Sequence, residues 1–301
     1  MNKWTILFCS LPLFLTFAYA DLSKEQRRIE IDAVVEDFVS THEVHKKYVN
    51  LSGRQRMLTQ RISKLALLMA VNPEMNGSKE RLTQYATLYD ETLKAFREGD
   101  EKLGFRPATS TTILEQITKV EEAWKPFHAH VQQIIDGHDQ NQSALQYIIT
   151  HNEALLTLSN DLVQAFESEH QSDNYLENAM LRVVNVAGRQ RMLSQKMTKE
   201  KLMVVKGEAA YQEKLTKTIQ LFDASLTMLM EGDPKGSIVK PTDKAIKEQL
   251  TKVDGLWQEL KPLYNKENVD SKELAVIIQK NPVLLAEMHK MVNMAETVTD
   301  Y

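Results

Sequence analysis

The sequence predicts an all-α protein: a duplicated antiparallel helical bundle, two repeats of about four helices each, elongated in shape. Three observations predict it. The 301-residue chain holds only 10 Gly and 8 Pro, while Leu, Lys, Glu, Gln and Met, the better helix formers, are plentiful. Apolar residues recur at helical spacing in one segment after another. Several blocks of the first half return about 130 residues later, a period too long for a solenoid unit and suited to a duplicated domain.

The first twenty residues read as an export signal. Lys3 supplies the positive end, Ile6 to Phe17 form a short apolar core, and Ala18-Tyr19-Ala20 has the form of a cleavage site. The apolar run is shorter than the ~20 residues a membrane span needs, so the mature chain is expected to begin at Asp21. The single cysteine, Cys9, lies inside this leader, and the bulky Phe8 before it is unsuited to a lipid-modified cysteine. A mature protein without thiols fits the bacterial periplasm, with release from the cell as the lesser alternative. No later stretch approaches spanning length without charges. The net charge of −4 gives no reason to expect nucleic acid as a partner. The expected division is a leader over 1–20, a first repeat over 21–170 and a second over 171–301.

From Asp21 to about Val71 the only Gly is Gly53 and Pro is absent. Ile29, Ile31, Val34, Val35, Phe38 and Val44 keep helical spacing, which predicts one long helix ended by Asn72-Pro73 and Asn76-Gly77. Ser78 can cap a second helix reaching about Gly99, with Leu82, Tyr85, Leu88, Tyr89, Leu93 and Phe96 on its apolar stripe. After a turn at 104–107, a third begins near Thr109 or Ser110. It carries Ile113, Ile117, Val120, Trp124, Phe127, Val131 and Ile135, and Gly137 stops it. A fourth starts near Ser143 with Leu145, Ile148, Leu155, Leu162 and Phe166. Neither Gly nor Pro interrupts 143–187, so this helix is free to run on as one rod.

The pattern then repeats. LYDETLKAFREGD (88–100) matches LFDASLTMLMEGD (221–233), EQITKVEEAW (115–124) matches EQLTKVDGLW (248–257), and IITHNEALL (148–156) matches IIQKNPVLL (277–285). The spacing between copies drifts from 135 to 133 to 129 residues, and the drift falls in loops, where length changes are tolerated. Antiparallel bundles with short connections are the expected packing.

The strongest repeat is basic. NLSGRQRMLTQRISK (50–64) returns as NVAGRQRMLSQKMTK (185–199), identical at nine of fifteen positions and free of acid in both copies. At 100° per residue, Leu51, Leu58, Ile62, Leu65 and Met69 form a core stripe, repeated by Val186, Leu193, Met197 and Val204. Gly53, Arg56, Gln60, Ser63 and Leu67 lie opposite, repeated by Gly188, Arg191, Gln195, Thr198 and Leu202. Arg54 and Arg61 sit near the edge of the core stripe, and most of the remaining charge reads as solvated flank. A mid-helix Gly costs about 1 kcal/mol relative to Ala, and close approach of another helix is the usual reason for one. The far face is therefore expected to be a helix–helix interface with a buried arginine. Its counter-charge must come from an acid on a partner helix or from a bound anion.

The pattern N-x-x-G-x-x-R-M-x-x-Q resembles the first-helix signature of nitrate- and nitrite-sensing histidine kinases. The tandem arrangement of GRQRMLSQ-like segments resembles the N-terminal sensory domain of type IV pilus methyl-accepting chemotaxis transducers, the PilJ type, over most of the mature chain. In the nitrate sensors the resemblance implies one Arg from each of two facing helices gripping the anion. That residue is Arg56 in the first copy and Arg191 in the second, with Gly53 and Gly188 preceding them. Asn50, Asn185, Gln60 and Gln195 complete the matched motif and join the expected ligand-binding set. Arg54 and Arg189 add a second basic residue where those sensors commonly carry an uncharged one, so a ligand of different size or charge fits as well. The chain shows no second span, signalling linker, kinase or methyl-accepting region, so it is expected to bind without transmitting alone.

His42 with His45, and His128 with His130, have the spacing to share a metal, but no carboxylate or Cys arrangement completes either pair. No metal or cofactor is expected. Trp124 and Trp257 recur on apolar stripes as core anchors, and the 13 Met residues read as gap-filling core. No nucleophile–base pattern, P-loop or dinucleotide fingerprint occurs, and the repeated polar residues are binding chemistry rather than a convergent titratable set. A non-enzyme is expected. Two functions follow: a periplasmic protein that holds a small anion such as nitrate or nitrite near Arg56 and Arg191, or an interaction module. In the second, the far face docks on a membrane receptor, sensor kinase or pilus component whose acids satisfy the arginines. A homodimer is compatible with either.

Overall fold

The computed structural model describes residues 44–71 and 77–297. The expected leader, the N-terminal half of the first helix, His42 and the Asn72-Pro73 break lie outside them. The described residues form eight α-helices: α1 (Val44–Val71), α2 (Ser78–Glu98), α3 (Thr111–Ile135), α4 (Ser143–Glu169), α5 (Tyr175–Val205), α6 (Ala210–Glu231), α7 (Lys244–Asn265) and α8 (Ser271–Thr297). The fold is an all-α bundle in two repeats of four helices.

Within the first repeat α1 packs on α2 and α4, and α3 closes the unit against α2 and α4. The second repeat does the same with α5 on α6 and α8, and α7 against both of those helices. Neighbours run antiparallel. Tyr48 near the start of α1 meets Phe96 at the end of α2, whereas Gln55, two turns on, donates to the Tyr89 carbonyl at 2.9 Å. The two repeats meet along α1 and α5. These two helices run parallel and in register, since Gly53 and Gly188 lie at one level and Lys199 reaches Gln60.

The core follows the predicted stripes. Leu58, Ile62, Leu82, Tyr89, Phe96, Phe127 and Phe166 are buried in the first repeat, and Leu193, Met197, Phe222, Leu229, Leu260 and Met288 in the second. Trp124 and Trp257 are buried at equivalent positions, and each indole N–H donates to an aspartate of the preceding helix, Asp90 and Asp223 respectively. A buried indole needs such an acceptor, so the duplication preserved the polar partner together with the ring.

The region from 143 to 206 is two helices, not one rod. α4 ends at Glu169 and α5 begins at Tyr175. No glycine or proline breaks the chain there. The Asn174 side chain accepts from the backbone N–H of Leu176 and Glu177, while the Asn178 side chain accepts from the Ser172 backbone N–H and donates to the Ser172 carbonyl. Side chains thus offer the backbone an alternative to continued helix. No helix among the described residues is long and apolar enough to cross a membrane.

Candidate functional site

The far faces of the two basic motifs meet. Arg56 from α1 and Arg191 from α5 are 2% and 1% exposed, and their guanidiniums converge over the two glycines. A Cβ built on Gly53 would lie 3.2 Å from Arg56 Nη2 and 3.9 Å from Arg191 Nη2; one on Gly188 would lie 3.5 Å from Arg191 Nη2 and 3.7 Å from Arg56 Nη2. Among the described residues those nitrogens are the only neighbours within 4 Å of either position, apart from the glycine's own helix. The glycines therefore make room for guanidiniums, rather than for close approach of a partner backbone as the sequence suggested.

The repeats exchange ligands across this level. Arg56 Nη2 donates to Asn185 Oδ1 at 2.7 Å and to the Asn185 carbonyl at 3.2 Å, and its Nη1 donates to Asn160 Oδ1 at 3.1 Å. Arg191 Nη2 donates to Asn50 Oδ1 at 2.6 Å and to the Asn50 carbonyl at 3.3 Å, and its Nη1 lies 3.1 Å from His289 Nδ1. Behind the asparagines stand acids, Asn185 donating to Glu167 and Asn50 to Glu296. The arrangement is a pseudo-dimer inside one chain: each arginine is held by the motif asparagine of the other copy. Asn160 and His289 occupy corresponding positions on α4 and α8, so the two halves differ at that one ligand.

Arg56 holds its charge at a cost. Burial pushes its pKa down to about 9, Arg189 and Arg191 push the same way, and Glu167 opposes them. Its hydrogen-bond partners are neutral amide and carbonyl oxygens, and its Nε has none. Two guanidiniums brought together in a dry interface in this way favour an acceptor carrying negative charge.

The other predicted residues divide. Asn50, Asn185, Gly53 and Gly188 join Arg56 and Arg191. Arg54 turns away to α2, donating to Thr92 Oγ1 at 2.9 Å. Arg189 is only partly buried, and its pKa is lowered by burial against the attraction of Glu167. Gln60 and Gln195 sit further along the interface in a second cationic layer, which the sequence reading passed over as solvated flank. There Lys199 is wholly buried. It donates to Gln60 Oε1 at 2.8 Å, to Asn152, and to Glu153 Oε1 at 3.1 Å. Lys64 crosses the other way to Asn281 Oδ1 at 2.7 Å, and Gln195 shares that oxygen at 3.2 Å. Arg61 is buried over the Tyr85 ring, so it too is core rather than flank.

The two layers differ in kind. The ammonium of Lys199 has three acceptors for its three N–H groups, one of them a carboxylate, which makes a closed structural lock. Burial lowers its pKa to about 8, and Glu153 beside it is held down at about 2 by Lys199 and Lys196 against the cost of its own burial. Sequence reasoning missed Asn152 and Asn281, although Asn is the one polar residue shared by IITHNEALL and IIQKNPVLL. It also missed Asn160, His289, Glu167 and Glu296, for which only the spacing of 129 residues between last-helix positions gave a signal.

Among the described residues the histidines form no third site. His45 stacks on His170 at 4.6 Å, and burial lowers the His170 pKa to about 4. His128 pairs with Asp90 at 3.1 Å, and His130 stacks on Tyr147 at 3.9 Å. Among the described residues no three His, Cys, Asp or Glu side chains gather to hold a metal. The face that was to dock on a partner protein is occupied by the other motif helix.

Two equivalent four-helix units, joined by one basic motif from each, define an all-α module made by duplication. The chain belongs to the PilJ family, described as the N-terminal region of type IV pili methyl-accepting chemotaxis transducers, whose model matches residues 38–148 and 177–280. One matched segment falls mainly in each repeat. It is thus a PilJ-type sensory domain, all-α and of a kind that works in signalling. No curated protein matches the chain.

Proposed function

We propose that this protein is a non-catalytic periplasmic sensory module that holds a small planar oxyanion, nitrate or nitrite, between Arg56 and Arg191. The observation that carries the reading is the convergence of two buried guanidiniums over Gly53 and Gly188, with Arg56 bonded only to neutral oxygens and its pKa depressed by burial and by its basic neighbours. An anion between them would accept from both, each charge-assisted hydrogen bond adding ~1.5–3 kcal/mol. Because each arginine belongs to a different repeat, binding favours one spacing of α1 and α5. Helix displacement and occupancy are then linked, the thermodynamic requirement for a sensor. Asn185 and Asn50 hold the two arginines at this level by accepting from them. The repeats taken as 21–170 and 171–301, delivery by the leader over 1–20, and a membrane receptor or sensor as the partner informed complete the reading.

Thermal-shift titration of the purified protein with nitrate, nitrite, chloride and sulfate at fixed ionic strength tests it. A ligand at a hundred times its Kd stabilises by about 2.7 kcal/mol. Nitrate or nitrite should raise the melting temperature of the wild type, and Arg56→Ala or Arg191→Ala should abolish the rise in a protein that keeps its helical circular dichroism. If no oxyanion moves the wild-type transition, the reading is wrong.

A further inference from the structure

The two halves of the arginine pair are built alike except at one ligand, and that ligand can titrate. Arg56 Nη1 donates to Asn160 Oδ1 at 3.1 Å. Arg191 Nη1 lies 3.1 Å from His289 Nδ1, at the corresponding place on α8, 129 residues further along the chain. An amide oxygen accepts at every pH, whereas an imidazole nitrogen accepts only while the ring is neutral. A guanidinium has N–H groups and no acceptor, so the contact fixes the tautomer of His289. Nδ1 offers its lone pair to Arg191, and the ring proton is on Nε2. Nε2 lies 3.3 Å from the side-chain amide of Asn293, one turn along α8, whose oxygen can turn to accept that proton.

His289 is buried, and α8 packs on α5, α7 and α1. From α5 the ring meets Arg191. Across Arg191, on α1, stand Asn50 and the Arg56 guanidinium. From α7 Lys252 reaches Glu287, two residues before His289, and Lys290 of α8 reaches the same carboxylate. Glu296, two turns further along α8, accepts from the Asn50 amide. The charges in line with the ring are thus the two guanidiniums, while the acids of α8 are engaged by lysines or by an amide. A proton added at Nδ1 would remove an acceptor from Arg191 and set a third cation beside that pair, and both effects favour the neutral ring. A bound oxyanion opposes both, because it brings negative charge and offers Arg191 a replacement acceptor.

We propose that His289 is a positioning residue of the anion seat, which holds Arg191 through its neutral ring and takes up a proton when an oxyanion binds between the arginines. The inference rests on the anion reading above and adds to it that the ligand enters together with a proton. Over an interval of pH the complex then holds more proton than the uncomplexed protein. Affinity therefore climbs as pH falls through that interval, by up to about tenfold per pH unit for one proton. Asn160 gives the first half of the seat no such response, so the coupling belongs to the second repeat alone.

The test is calorimetric titration of the purified protein with nitrate, which stays ionised throughout, at steps from about pH 5 to about pH 7.5 and fixed ionic strength. That range stays below Lys199 and Arg56, whose pKa values are lowered to about 8 and about 9. The wild-type Kd should fall about tenfold or more from the upper end to the lower. His289→Asn, which gives both halves the same amide ligand, should still titrate to saturation with a Kd constant to within about twofold across the range. A flat wild-type profile overturns the proposal, and so does a slope that survives in His289→Asn. Absence of saturation at every pH is a different result, which removes the anion reading and this inference with it. If His289→Asn does not fold, the ring Cε1–H resonances of the eight histidines of the wild type decide. Saturating nitrate should move one titration midpoint upward by about one pH unit or more, and unmoved midpoints are equally fatal.

Discussion

Replacing Gly188 by alanine should stabilise the protein and weaken anion binding together. Glycine inside a helix is about 1 kcal/mol less favourable than alanine. The added methyl would meet only Arg191 Nη2 at 3.5 Å and Arg56 Nη2 at 3.7 Å, which is ordinary contact, so most of the propensity gain should survive. The expected change is about 0.5–1 kcal/mol, or about 2 °C in Tm for a chain of this size. The methyl also takes the space over both guanidiniums where a planar anion would rest, and the affinity for nitrate should fall about tenfold or more. Gly53→Ala is the graded control. Its methyl would lie 3.2 Å from Arg56 Nη2, that side chain must give by a few tenths of an ångström, and the stability gain should be smaller. Urea unfolding with and without nitrate reads both quantities. A loss of about 1 kcal/mol or more in Gly188→Ala would mean that backbone, not guanidinium, fills the space over the glycine, and the geometric argument would fall with it.

Two further predictions concern the scaffold. Glu153 has its pKa depressed to about 2 by Lys199 and Lys196. A depressed carboxylate contributes stability that is present above its unfolded value and lost as pH falls through the folded one, so acid unfolding should draw on it between about pH 4.5 and pH 2. Its side chain is 38% exposed, and after allowance for solvent screening Glu153→Gln should cost about 1–2 kcal/mol at pH 7 and much less at pH 2; equal costs at both pH values would deny the pair its role. Trp257→Phe removes the hydrogen bond to Asp223 at 2.9 Å and part of a fully buried ring, for about 1–2 kcal/mol in equilibrium unfolding. Trp124→Phe should cost the same, and a clear inequality would show that the two repeats do not use their indoles equivalently.

The fold was legible because its signals are local. Stripes of Leu, Ile and Phe at helical spacing, with the caps and breakers beside them, located six of the helix boundaries to within a few residues, Ser143 and Ile135 among them. The missed break after Glu169 was legible too, but only as capping chemistry: Asn174 and Ser172 end one helix and start the next without any Gly or Pro. The candidate site was half legible. The angular position of Arg56 and Arg191 opposite the leucines placed them on an interface. It did not reveal that Arg54, two residues from Arg56, would be taken by Thr92 on a different helix. Nor did a count of charges reveal that Lys199 and Arg61 would be buried, because each finds its partners on another element.

The sequence by itself determined that this protein is helical, that it is duplicated, and that one Gly-Arg segment is presented twice away from its own core. It determined these things because helical periodicity and internal repetition depend only on neighbours along the chain. Only the tertiary structure decided that the two segments face each other in parallel, and that each arginine is held by the asparagine of the other copy. Arg56 draws its ligands from residues 104 and 129 positions away. A buried charge is defined by whatever packs against it, and that is settled when the two bundles close on one another, not in the segment that carries the charge.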